Sequence, residues 1–167
     1  MVVLAAYADD VRSAVLAAKR PGGELVAAGL ATLLARKHAG QIAAWGIDLI
    51  VPVPMHWTRR MLRGTSAADG LARGVAAALD LPRRAALVRR RATRMQNELE
   101  PAARRTNVRD AFRATPVAAG RRVLVVDDVT TTGGTLSACR QALVAAGAAA
   151  VYAAAVARAD AAEPASG

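Results

Sequence analysis

Apolar residues recur at helical spacing near the start of the chain. Asp9 to Lys19 and Glu24 to Lys37 both read as helices, with Pro21-Gly22-Gly23 between them. Leu30, Leu33 and Leu34 give the second an apolar stripe. Gly40 to Gly46 reads as a connector. The apolar run Asp48-Leu-Ile-Val-Pro-Val then fits a buried strand closed by Pro54. After a loop from His56 to Gly64, Ser66 and Asp69 form a capping-box pattern, and Leu71, Val75 and Leu79 continue at four-residue spacing. That helix ends near Leu81-Pro82, and Ala85-Ala-Leu-Val reads as a short strand. Arg89 to Asn107 has neither period and reads as a long mobile loop, of a length that in compact domains is usually functional or disordered. The clearest strand is Arg122-Val-Leu-Val-Val-Asp. Thr135 to Ala146 follows as a helix with Leu136, Cys139 and Leu143 on one face and Gly147 as its stop. Ala150 to Val156 closes the series as a strand. Strands alternating with helices predict an α/β fold with an open parallel sheet flanked by helices. At 167 residues the chain fits one domain, expected over 1–158, with 159–167 a disordered tail.

Charge changes the picture. The net charge is +10, and ten arginines stand between Arg83 and Arg113 against three acids, Glu98, Glu100 and Asp110. Arg59, Arg60 and Arg63 form a second cluster. The arginine fork suits phosphate, so the expected partner is a phosphorylated metabolite, a nucleic acid or both. A solubilising arginine-rich surface is the plainer alternative, since lysine appears only at Lys19 and Lys37. Aromatic residues make up 3%, too few for repeated base stacking. The one cysteine, Cys139, excludes an intrachain disulfide framework or a cysteine-based zinc site, and its place on an apolar helix face reads as core. The first residues lack a basic segment and a long apolar run, and no stretch of about 18 apolar residues occurs. The expectation is a cytoplasmic protein with no membrane partner.

The candidate chemistry lies where the strongest strand ends. In Val123-Leu-Val-Val-Asp-Asp-Val-Thr-Thr-Thr-Gly-Gly-Thr-Leu, an apolar strand runs into two acids, then into a Thr/Gly loop that opens a helix. Ligands of open α/β sheets bind at carboxyl ends of strands. Gly133 and Gly134 admit close backbone approach, and helix-start amides favour an anion. Thr130, Thr131, Thr132 and Thr135 add hydroxyls. Asp127 and Asp128 would repel that anion unless they face sugar hydroxyls or a cation. A phosphate cradle beside two acids therefore suits a ribose 5-phosphate. No Gly-Lys-Ser/Thr follows, which excludes a Walker loop, and the dinucleotide glycine fingerprint is absent as well.

Val123 to Thr135 resembles the 5-phosphoribosyl-1-pyrophosphate (PRPP) motif of type I phosphoribosyltransferases. The resemblance implies that Asp127 and Asp128 are catalytic and hold the ribose hydroxyls, and that Thr130, Thr131, Thr132, Gly133, Gly134 and Thr135 bind the 5-phosphate. Thr130 stands where many members carry an aliphatic residue. The segment Val51-Pro-Val-Pro-Met-His-Trp-Thr-Arg-Arg-Met-Leu-Arg-Gly resembles the competence-associated ComF branch. So do the Tyr7 to Lys19 start and the pattern Leu87, Arg91, Gln96, Arg105, Asn107. The likeness runs from about Tyr7 to Arg158 and implies a small hood from the N-terminal region. It also implies a pyrophosphate loop of Arg59, Arg60, Arg63 and Gly64, and a flexible closing loop with Arg91, Gln96, Arg104 and Arg105. His56 is not assigned as a base.

Two departures stand out. ComF relatives usually carry a cysteine-rich zinc module before this domain, and no cysteine precedes Cys139 in these 167 residues, whether the module was lost or lies outside them. Arg63-Gly64-Thr65-Ser66-Ala67 replaces the common Arg-Gly-Phe-Asn-Gln. The implied activity is Mg²⁺-dependent transfer of ribose 5-phosphate from PRPP to a nitrogen nucleophile, releasing pyrophosphate, with Mg²⁺ carried by PRPP and touching Asp127 or Asp128. The alternative is a non-catalytic PRPP sensor or DNA-uptake accessory protein that binds single-stranded DNA. A homodimer is left open.

Overall fold

The computed structural model describes residues 1–55, 67–89 and 111–159. Among these, four parallel strands form one sheet in the order β1 (Val2–Ala6), β6 (Ala150–Arg158), β5 (Arg122–Thr130), β2 (Leu49–Pro52). A separate antiparallel pair joins β3 (Leu87–Arg89) to β4 (Phe112–Ala114). The expected open parallel sheet with flanking helices is therefore present.

Pleating of β5 decides which side chains meet which helices. Leu124 and Val126 join the core beneath α1 (Asp9–Ala18), α2 (Glu24–Lys37), α3 (Ala39–Trp45) and α4 (Ala67–Leu79). Val123 and Val125 join the opposite core, under α5 (Gly134–Ala145) and the β3–β4 pair. All four are buried, which accounts for the uninterrupted apolar run of a strand covered on both faces.

Both sheet edges are covered. At β1, Lys37 Nζ donates to the Leu4 carbonyl at 2.5 Å, and His38 Nε2 lies 2.9 Å from the Val3 carbonyl. At β2, the Ile50 amide donates to the Pro82 carbonyl at 2.9 Å, and the Arg84 amide to the Ile50 carbonyl at 3.1 Å. Some of the edge backbone groups that could otherwise recruit another strand are thus occupied.

Several elements differ from the sequence reading. The segment read as a connector is α3, whose Ile42 is buried and whose stop is Gly46 in the left-handed region at φ 59°. Val2–Ala6 forms the edge strand β1, so the N-terminal region expected as a hood begins inside the sheet. β4 was not read at all, and Arg89 belongs to β3 rather than to the following loop. β5 continues through Thr130, three residues past the strand expected from the apolar run. Residues 90–110, which include the rest of the expected closing loop, lie outside the described residues, as do the His56–Gly64 segment, Ser66 and residues 160–167 of the tail. Among the described residues no helix is long and apolar enough to cross a membrane.

Candidate functional site

The two adjacent acids sit inside β5, in register with β6 through Asp127↔Ala155 and Val129↔Ala157. Strand pleating sends consecutive side chains to opposite faces. Asp127 follows Val123 and Val125 toward the α5 side, where it raises the Cys139 thiol further beyond what burial does. Asp128 follows Leu124 and Val126 toward the α1 side, where Lys19 Nζ lies 3.0 Å from its Oδ2. Each acid therefore has its own surroundings.

Hydrogen bonds turn both carboxylates back onto the strand. The Asp128 amide donates to Asp127 Oδ1 at 2.9 Å, and the Val129 amide to Asp128 Oδ1 at 2.6 Å. Burial is the main force on Asp127, pushing its pKa up to about 7, and the Asp128 charge pushes the same way. The Asp128 amide, Lys19 and Arg89 pull it back. Arg89 also lies over the Phe112 ring, 5.4 Å from its centroid. The acids are thus flanked by one cation on each face of the sheet.

Beyond Asp128 the strand closes at Thr130, which is buried and whose carbonyl accepts the Ala159 amide at 2.9 Å. Thr131 and Thr132 are exposed. Gly133 then turns the chain at φ 77°, a left-handed conformation that disfavours a side chain, with open space around it. The Ser137 amide bonds to the Gly133 carbonyl at 2.8 Å and begins the helical ladder. The amides ahead of it have no partner within the helix, and Thr135 beside them is exposed. The loop between β5 and α5 thus follows directly on the strand that carries the two carboxylates.

The geometry thus brings Asp127, Asp128 and Thr130–Thr135 together at one strand end. Arg59, Arg60, Arg63 and Gly64 lie outside the described residues, as do Arg91, Gln96, Arg104 and Arg105. Lys19 and Arg89 were not among the expected site residues. Lys19 had a signal in the Tyr7 to Lys19 start, whereas the pull of Arg89 on Asp127 depends on the pairing of β3 with β4, a strand that no local pattern announced.

The phosphoribosyl transferase domain model matches residues 23–166. The chain belongs to that family. It is a ComF-type member of the type I phosphoribosyltransferase superfamily. It is 33% identical over 155 residues to the DNA utilization protein YhgH of Escherichia coli strain K12, covering 90% of this chain and 68% of the relative. Competence protein F of Haemophilus influenzae is 38% identical over 95 residues, covering 54% of this chain and 41% of that protein. Among solved structures, glutamine PRPP amidotransferase from B. subtilis, complexed with ADP and GMP, superposes with a TM-score of 0.56 and 25% identity. That match covers 80% of this chain and 26% of the amidotransferase, so the ComF-type domain spans about a quarter of that solved chain.

Proposed function

We propose that this ComF-type domain binds PRPP at the carboxyl end of β5. The observation that carries the reading is the juxtaposition of the Thr131–Thr135 cradle with Asp127 and Asp128. The loop suits a terminal phosphate, while the carboxylates suit the ribose diol. Thr130, at the end of the strand, would support the cradle through its backbone. By resemblance, Arg59, Arg60, Arg63 and Gly64 would hold the diphosphate, and Arg91, Gln96, Arg104 and Arg105 would close over the sugar.

The chemistry that such a site supports is transfer of ribose 5-phosphate to a nitrogen nucleophile. The C1–O bond to pyrophosphate breaks, pyrophosphate leaves with the electron pair, and a C1–N bond forms as the nitrogen sheds a proton. Arginines about the leaving diphosphate stabilise its charge, and closure keeps water from the cationic sugar carbon. No group of three or more metal-ligating side chains gathers among the described residues. Two hard carboxylates fit Mg²⁺ that arrives on the diphosphate with its own waters, and the ion would neutralise the leaving group.

A second reading draws on the relatives named for DNA utilization and competence, together with the net charge of +10. In that reading the PRPP site regulates an accessory protein that contacts single-stranded DNA without catalysis.

Thermal unfolding with PRPP and Mg²⁺, beside ribose 5-phosphate and ATP, tests the common core of both readings. Ligand at about 100 times its Kd adds roughly 2.7 kcal/mol, or on the order of 5–10 °C for a domain of this size. The shift is expected with PRPP and expected to be reduced, though still measurable, in Asp128→Asn. No shift at millimolar PRPP would sink the proposal.

A further inference from the structure

Lys19 reaches the site from an element that no strand-end motif contains. It caps α1 in helical conformation, and a tight corner follows, in which the amides of Lys19, Arg20 and Gly23 donate hydrogen bonds to the carbonyls of Leu16, Ala17 and Arg20. Gly23 is buried there, and a side chain on it would collide with the Ala17 carbonyl and the Ala18 backbone. The corner is therefore held closely, and it aims the Lys19 ammonium at Asp128. Neither partner is freely solvated, with 26% of the lysine and 20% of the aspartate side chain exposed.

The residue type matters. Positive side chains total 23, yet only two are lysines, and one of the two stands against Asp128. An arginine fork grips both oxygens of a carboxylate, whereas an ammonium is a point charge. Here Lys19 takes Oδ2 and the Val129 amide takes Oδ1. Each oxygen accepts about two hydrogen bonds, so among the described residues one position is left on each. Two acceptor positions on one carboxylate suit the adjacent hydroxyls of a ribose.

We propose that Lys19 is a positioning residue of the sugar site, acting through Asp128 to hold its carboxylate turned toward a vicinal diol. This rests on the PRPP reading above and names the residue outside the motif that makes its acid selective. The charge of Lys19 is felt at Asp127 too, where it opposes the upward push of burial.

The test is PRPP affinity, measured by titration calorimetry with Mg²⁺, in wild type, Lys19→Met, Lys19→Arg, Asp128→Asn and the Lys19→Met/Asp128→Asn double variant. Lys19→Met is expected to weaken binding by about tenfold or more, the scale for a charged hydrogen-bond partner. Lys19→Arg, which keeps the charge but can close both oxygens, is expected to fall between. In the Asp128→Asn background, removal of Lys19 is expected to change little, because the group it acts through is gone. A readout free of PRPP is the Asp127 carboxyl titration followed by NMR, which is expected to move upward in Lys19→Met. If that variant folds poorly, Lys19→Gln serves for both measurements. Wild-type affinity in Lys19→Met or Lys19→Gln overturns the inference, as does an equal loss with and without Asp128. Absence of PRPP binding in wild type overturns instead the reading on which it rests, and the inference with it.

Discussion

Two neighbouring carboxylates on one strand differ because the pleat separates them. Asp128 meets Lys19 on one side, while Asp127 is pressed into the side that holds Cys139 and Arg89. A carboxyl group whose folded pKa is raised to about 7, against 3.8 ordinarily, binds its proton more tightly in the native state. Its contribution to stability is full below the unfolded value and is lost as pH rises through about 7. A carboxamide at this position has no such proton to lose. Asp127→Asn is therefore expected to gain on wild type between pH 5 and pH 8 by about 1–2 kcal/mol, discounted for partial solvent access. Tm measured for both proteins across that range checks it, and parallel curves would contradict the assignment. The glycines of the loop were legible in the sequence, and Gly133 takes φ 77°, a conformation that favours glycine.

At the scale of elements, α2 and α4 pack closely because small residues face one another. A Cβ on Gly74 of α4 would stand 2.6 Å from the Ala31 Cβ of α2, a buried and inflexible neighbour. Gly74→Ala gains helix propensity of about 1 kcal/mol. Overpacking costs about 1–3 kcal/mol, so net destabilisation is expected. Adding Ala31→Gly should restore the space and recover part of the loss, a non-additivity that chemical denaturation of the four proteins would reveal. The helices α1, α2, α4 and α5 and the strands β2, β5 and β6 were all legible from period, caps and apolar runs. What was missed is short, for two reasons. β1 and β4 are short and gain their hydrogen bonds from distant partners, at Ala154–Arg158 and at Leu87–Arg89. The helix α3 is seven residues with one buried side chain, too little for a periodic signal.

For the whole molecule, the charge of +10 and the family's DNA-utilization relatives make nucleic acid the second ligand to test. If the accessory reading holds, affinity for single-stranded DNA falls steeply with salt, with a log–log slope of about −0.7 for each phosphate neutralised. Salt-independent or absent binding at low ionic strength, measured by fluorescence anisotropy, would leave the enzyme reading alone. The sequence by itself determined the α/β class, the strand–acid–acid–threonine–glycine order of the candidate site and the excess of arginine, because these depend on local period and residue type. It could not determine that Asp127 and Asp128 face opposite cores, since that requires β5 to remain a paired strand beyond its apolar run. Nor could it place Lys19 against Asp128. Those residues lie 109 positions apart, and only the α1–α2 corner packed over the sheet brings an ammonium and a carboxylate within 3.0 Å.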